Sequence, residues 1–258
     1  MKNLFKIIPF LFFLPFSIDA KCGFGSITYY PKSSFISPNS YIIIQDHANQ
    51  LDLLKQISFK YKVFLVLGNN KIGLKFVKLN KGFNLNQLIL KPTNDLKKGR
   101  KYKLHFEGLD LNQKSLLNQN VYDVNSKKWI VKEWQCTEEY DNESPTWITK
   151  PTFVKATYRQ LGCGPEKYVT YSLKVQENSD ECYINVRLYN KFWKEETEFM
   201  ILIEKGKPLN IGHNMCNGEF RLYSESEYNV SFELMDICGN KAESINSAFT
   251  APKEISAF

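Results

Sequence analysis

The sequence predicts an all-β protein made of two consecutive sandwich-sized domains. Short runs in which apolar and polar residues alternate recur along both halves of the chain, separated by turn residues, as half-buried strands require. One acidic and polar run, Cys136–Pro151 (CTEEYDNESPTWITKP), interrupts this pattern near the middle. We therefore place one domain at 22–138 and the other at 145–258, with a short linker between them.

The first 20 residues predict a segment that is removed on export. Lys2 and Lys6 give a basic start, and the apolar run Ile7–Phe16 is followed by a short end at Ala20. This apolar run is shorter than the roughly 20 residues that a membrane span needs, so residues 1–20 fit a signal peptide. We expect cleavage after Ala20, no membrane span, and a periplasmic, cell-surface or extracellular location.

In the first domain the alternation predicts a sheet with one buried and one wet face. Tyr102, Leu104 and Phe106 alternate with charged residues, which is typical of such a strand. The strands of this domain are predicted at 41–45, 61–67, 71–78, 88–91, 101–107 and 129–134. Apolar residues at three-residue spacing predict one or two helical turns around 51–57, and the polar stretch 109–128 predicts a loop.

The second domain repeats the strand pattern without repeating the sequence. In Tyr228–Met235 the apolar set occupies every second position, which places one face on a core. The strands are predicted at 152–158, 168–175, 182–189, 199–203, 228–235 and 242–250. Sandwich cores accommodate large aromatic side chains, so we assign Trp129 of the first domain and Trp147 of the second domain to the interior.

A family resemblance supports the fold of the first domain. Ser37-Pro38 precedes an apolar strand, an L-x-P triplet follows at Leu90–Pro92, and L-x-x-G-x-x-Y-x-L runs from Leu96 to Leu104. This arrangement resembles the bacterial Ig-like domain named after S-layer proteins, over about residues 34–108. The resemblance implies an Ig-like β-sandwich that serves as an architectural module in exported proteins.

A second resemblance concerns the other domain. The pattern Y-x-V-x-x-x-x-x-D-x-x-G-N, from Tyr228 to Asn240, is similar to the penultimate strand and turn of fibronectin type III and related Ig-like domains. The junction Ser144-Pro145-Thr146 is similar to the one that begins such modules. The resemblance implies a second Ig-like β-sandwich and indicates no ligand.

All six cysteines follow the predicted cleavage position, and an even number in an exported chain favours disulfides. Successive strands of a sandwich alternate in direction, so their ends can be sorted into two groups. In the second domain this sorting favours the pairs Cys182–Cys238 and Cys163–Cys216, and we expect Cys22–Cys136 to tie the ends of the first domain. Because the loops are short, the local pairs Cys163–Cys182 and Cys216–Cys238 are the alternative.

The sequence offers no motif for catalysis, metal binding or nucleic-acid recognition. The chain has 34 basic and 27 acidic residues, a net charge of +7, and its basic residues are scattered. We find no nucleophile elbow, no metalloprotease helix and no phosphate-binding glycine loop. His213 and Cys216 have the spacing of two metal ligands, but a structural zinc site needs four. We predict no cofactor and no enzymatic activity.

Trp193 is the candidate for ligand contact, because charged residues flank it and Phe192 precedes it. The predicted function is that of an exported, non-enzymatic, structural or adhesive cell-envelope protein with two Ig-like modules. Its partner would be an envelope protein or a glycan. One alternative is a module that binds carbohydrate or another ligand, and a third possibility is an enzyme accessory domain.

Overall fold

The computed structural model describes residues 26–47, 51–123, 127–162, 164–176 and 181–255. The predicted signal peptide, Cys22 and Cys163 lie outside these ranges. The described residues are mostly strand, with two short helices, α1 (Leu51–Phe59) and α2 (Leu111–Leu116). The all-β prediction is confirmed, and so is the short helix around 51–57.

The strands of the first part are β1 (Ile27–Tyr30), β2 (Phe35–Ile36), β3 (Ile42–Asp46), β4 (Lys62–Leu67), β5 (Asn70–Lys81), β6 (Asn86–Pro92), β7 (Lys101–Glu107), β8 (Asn120–Asp123), β9 (Lys128–Val131) and β10 (Glu133–Cys136). Those of the second part are β11 (Thr146–Leu161), β12 (Gly164–Gln176), β13 (Cys182–Asn190), β14 (Glu195–Leu202), β15 (Leu209–His213), β16 (Glu227–Asp236) and β17 (Ile245–Thr250).

Among the described residues, eight strands of the first part form one sheet in the order β1-β3-β6-β5-β4-β7-β10-β2. Its two edge strands, β1 and β2, are joined only by residues 31–34. Laid flat, eight strands would separate the edges by about 34 Å, whereas this connection reaches at most about 18 Å. The sheet therefore curls around its core, which includes Leu65 and Trp134. The eight strands thus follow one continuous hydrogen-bonded order that folds over a single core.

The second part is a two-sheet sandwich. Within the described residues, a sheet of order β11-β12-β15 faces a sheet of order β14-β13-β16-β17. Both sheets contribute to one buried cluster, in which Tyr171 and Phe232 make an edge-on contact with ring centroids 4.9 Å apart. In β16 the side chains of Tyr228, Val230, Phe232 and Leu234 are buried, as the alternation predicts.

The stretch 109–128, predicted as a loop, instead contains α2 and β8, and β8 pairs with β9 in the hairpin β8–β9. Asp110 and Gln113 form a capping box at the start of α2: the Asp110 side chain accepts from the Gln113 backbone N–H at 2.8 Å, and the Gln113 side chain accepts from the Asp110 N–H at 3.1 Å. This reciprocal pairing satisfies two backbone donors and begins a helix in a polar segment.

The two parts pack against each other through a third buried cluster. It consists of Tyr30, Ile43, Ile89, Tyr183, Met200, Met235, Ile237 and Cys238. Strand alternation explains it, because Ile42 and Ile44 face the core of the first part while Ile43 faces the second part. This is why β3 is apolar at consecutive positions rather than at alternate ones.

Polar contacts continue this interface. The Gln87 side chain donates to the Met200 carbonyl at 2.9 Å and accepts from the Met200 N–H at 3.2 Å. Lys78 and Glu198 form an ion pair across the same seam, and Leu85 joins the core of the second part. Independent folding of 22–138 and 145–258 stays a prediction, and these contacts identify the residues that test it.

Glu219 gives a pH-dependent prediction. Burial raises the pKa of its carboxyl above the ordinary value of 4.5. The folded chain therefore binds this proton more tightly than the unfolded chain, so the contribution to stability is present below pH 4.5 and is lost as the pH rises through the folded pKa. We expect Glu219→Gln to raise the Tm at pH 8 and to leave it nearly unchanged at pH 4.

Thermal unfolding of both chains between pH 4 and pH 8 measures this difference. Glu139→Gln, at an exposed position, is the matched control and should leave the Tm unchanged across the range. Parallel curves for wild type and Glu219→Gln would show that the Glu219 carboxyl has the same pKa in both states.

Candidate functional site

A surface groove of about 1080 Å³ lies where the two ends of the rolled sheet approach each other. One wall is Ile27–Tyr29 of β1, and the hairpin β8–β9 forms another wall. The outward side chains of β7 and β10 form the floor, because these strands direct Tyr102, Leu104 and Trp134 into the core. The groove therefore depends on closure of the sheet.

Two exposed aromatic side chains stand on the hairpin wall. Trp129 and Tyr122 are opposite each other in the β8–β9 register, with ring centroids 5.7 Å apart and planes at 67°. The exposed fraction is 69% for Trp129 and 51% for Tyr122. The assignment of Trp129 to the core is wrong, because β8–β9 forms a separate two-stranded sheet outside the rolled one. Trp147, by contrast, packs partly buried on the core of the second part.

Lysines line the floor and the rim. Lys101 and Lys103 occupy the exposed positions of β7, and the ammonium of Lys103 lies 2.7 Å from Glu133 on β10. Lys32 extends from the connection between β1 and β2, with its ammonium 5.5 Å from the centre of the Tyr30 ring. Both lysines of β7 therefore face the groove.

Lys132 has a structural role beneath the groove. Its side chain is buried, and the ammonium donates to the carbonyls of Lys32 at 2.6 Å and Ser33 at 2.9 Å. It also lies 5.4 Å from the centre of the Trp134 ring. Burial lowers the pKa of this ammonium. These contacts fasten the connection 31–34 to the end of β10.

The remaining polar groups favour recognition of a polar ligand. Asn120 and Gln135 present side-chain amides that both donate and accept hydrogen bonds. Glu133 supplies the sole carboxylate among the described residues that line the groove, and Lys103 neutralises it. A site of this composition combines an apolar platform with donors and positive charge.

The predicted surface position of Trp193 is confirmed, since 55% of this residue is exposed. The Asn190 side chain accepts from the N–H groups of Phe192 and Trp193, both at 2.9 Å, and so fixes the turn that presents them. Ring centroids of Phe192 and Trp193 lie 4.8 Å apart, and Tyr223 lies 6.0 Å from Trp193. This forms a second aromatic surface, remote in sequence from the hairpin β8–β9.

The predicted bridge between Cys22 and Cys136 is not formed. Cys136 is a buried, free thiol that donates to the Leu96 carbonyl at 3.8 Å, and burial raises its pKa to about 11. Cys136 ends β10 with its side chain directed into the core of the first part, where Trp134 also lies.

The predicted bridge between Cys182 and Cys238 is not formed either. Strand order does bring their backbones together, since Cys182 lies opposite Asp236. However, the Cys182 sulfur donates to the Met235 carbonyl within the sandwich core, whereas Cys238 lies in the interface cluster, 3.5 Å from the Ser40 hydroxyl. The two side chains therefore point into different interiors.

Cys216 is disulfide-bonded, and its partner is not among the described cysteines. Because Cys238 is a free thiol, the alternative pair Cys216–Cys238 is not formed. The pair Cys163–Cys216 stays a prediction, since Cys163 lies outside the described residues.

The described ranges contain no group of three or more His, Cys, Asp or Glu side chains that could hold a metal ion. The Nδ1 atom of His213 lies 3.0 Å from the Asn214 carbonyl, and burial lowers the pKa of the ring. Within the same described ranges, no helix is long and apolar enough to cross a membrane.

Comparisons with known proteins give only distant likenesses. No protein-family model and no curated protein matches the chain. Pullulanase from Anoxybacillus sp. LM18-11 is 11% identical over 80% of this chain and 24% of its own, with a TM-score of 0.24. Dimeric latent PorU from Porphyromonas gingivalis is 10% identical over 89% and 20%, with a TM-score of 0.29. Lactobacillus rhamnosus β-glucuronidase is 10% identical over 83% and 36%, with a TM-score of 0.23.

The chain thus spans between a fifth and about a third of the length of these structures. Likenesses with TM-scores this low carry no argument about function, so any functional inference depends on the groove and the aromatic surfaces.

Proposed function

We propose that this chain is an exported, non-enzymatic adhesive protein of the cell envelope, and that the groove is its binding surface. The observation that supports this most directly is the pair Trp129 and Tyr122, held exposed on the hairpin wall. Large aromatic surface left in water beside polar groups is typical of interaction sites. Export is the expectation from residues 1–20, and the Ig-like character of the two parts is the expectation from the quoted motifs.

The way the floor of the groove is built also supports a binding role. Its floor belongs to strands of the closed sheet, and Lys132 holds the connection 31–34 in place. A preformed surface loses little conformational entropy when a ligand binds, so more of the contact energy appears as affinity. The proposed partner of the groove is an envelope protein or an envelope glycan.

The test is binding of the chain, expressed from residue 21 onward, to isolated envelope fractions. We expect Trp129→Ala to weaken binding about 30-fold, as loss of a central aromatic contact does. Because Trp129 is exposed, its circular dichroism spectrum and Tm should stay those of wild type. Phe59→Ala, at a position with 77% exposure outside the groove, is the matched control and should bind normally. Unchanged binding by Trp129→Ala would reject the groove.

The surface around Trp193 favours a second candidate function, a carbohydrate-binding module. The turn fixed by Asn190 presents Phe192 and Trp193, and the Arg221 guanidinium lies 5.6 Å from the centre of the neighbouring Tyr223 ring. Under this alternative, Trp193→Ala should abolish binding of soluble oligosaccharides while Trp129→Ala retains it. The same set of variants therefore separates the two candidates.

A further inference from the structure

The groove carries an excess of positive charge. Lys103 is neutralised by Glu133, whereas among the described residues no carboxylate lies within 4.0 Å of the ammonium of Lys32 or Lys101. Glu204 is the more distant carboxylate on which Lys32 acts, since the charge of Lys32 helps to lower its pKa. Lys132 adds a third cation, although its hydrogen bonds are used by backbone carbonyls. A ligand that carries negative charge would gain from this field, particularly at the two unpaired lysines.

The two unpaired cations lie on different sides of the groove. Lys101 belongs to the floor, and Lys32 belongs to the rim between β1 and β2. The backbone of Lys32 is fixed, because its carbonyl accepts from the Lys132 ammonium at 2.6 Å. A ligand with acidic groups at intervals could contact both lysines at once while lying against the hairpin wall.

The other groups in the groove match a saccharide. The exposed Trp129 provides an apolar surface suited to the C–H face of a sugar ring. Asn120 and Gln135 can each donate to and accept from hydroxyl groups. An acidic peptide added as an extra strand is less well matched, because the open edge of β1 extends over Ile27–Tyr30 alone.

We infer that the groove binds an acidic saccharide, in which carboxylates pair with Lys32 and Lys101 and a sugar ring packs on Trp129. This inference rests on the proposed function, since it names the class of ligand for the same surface. Each lysine contact is charge-assisted, so affinity should fall as the salt concentration rises.

The experiment is calorimetric titration of the chain with oligomers of galacturonate, glucuronate and mannuronate, and with neutral galactan oligomers of equal length. We expect at least one uronate series to bind about tenfold more tightly than the neutral oligomers, and to weaken at 1 M salt. Lys101→Glu should reduce uronate binding by at least about tenfold. Lys75→Glu, which makes the same charge change at an exposed site outside the groove, should have no such effect.

Equal affinity for acidic and neutral oligomers would overturn the inference, and so would tighter binding of oligoglutamate than of any uronate. If no uronate binds while envelope binding remains sensitive to Trp129→Ala and insensitive to Lys101→Glu, the acidic saccharide is rejected and the adhesive groove stands. If envelope binding is insensitive to Trp129→Ala as well, the proposed function itself fails.

Discussion

Trp134→Ala is expected to lower the free energy of unfolding by about 4 kcal/mol and to abolish ligand binding in the groove. Trp134 has no exposed surface, so truncation leaves a large cavity in the core of the first part. Its indole N–H also donates to the Pro31 carbonyl at 2.9 Å, which would lose its partner. The change therefore affects both the core and the connection that closes the sheet.

Urea denaturation followed by circular dichroism measures the loss of stability. Trp134→Phe is the matched control: it keeps most of the volume but removes the bond to Pro31, so a loss of about 2 kcal/mol is expected. A loss below about 1 kcal/mol for Trp134→Ala would mean that the core of the first part does not depend on this side chain.

Gln87→Ala is expected to destabilise the chain by about 3 kcal/mol. Gln87 is 1% exposed, and its amide bonds to both backbone groups of Met200 and to the Gln45 side chain at 3.1 Å. Removing it leaves a buried donor and a buried acceptor of β14 without these partners, at the seam between the two parts. The loss should therefore weaken the coupling between the parts more than it weakens either core.

Differential scanning calorimetry is the appropriate measurement, because it resolves coupled from separate transitions. We expect one transition for wild type and two for Gln87→Ala. Lys78→Ala, which removes a partly exposed ion pair at the same seam, should cost at most about 1 kcal/mol and keep a single transition. Two transitions in wild type would instead favour the independent domains that the sequence predicts.

The local features of the fold were predictable because strand alternation is a local signal. The alternation around Tyr102 and Leu104 correctly predicts which side of β7 is buried. The hairpin of β4 and β5 was also predictable, since Gly68, with φ of +56°, begins a two-residue turn between them. The closure of the first sheet was not predictable from the sequence. It depends on the pairing of β2 with β10, and these two strands lie far apart in the chain.

The candidate site was predicted only in part. Trp193 was assigned to the surface from its charged neighbours, but Trp129 lies in Lys128–Val131, a short apolar strand that has the pattern of a core strand. The cue that could have revealed the hairpin is its isolation, with polar residues before it and Lys132 after it. The predicted pair Cys182–Cys238 failed for a related reason: strand order identifies neighbouring strands, whereas side-chain direction depends on the register of each pair.

Closure of the first sheet by residues 31–34 has a consequence for mechanical resistance. Lys32 lies on the rim of the groove and Lys101 on its floor, so a bound acidic chain would link the connection 31–34 to β7. Binding would then add its free energy to the work needed to separate the connection 31–34 from β10. An adhesive module built in this way would hold its shape most firmly under load while it is attached.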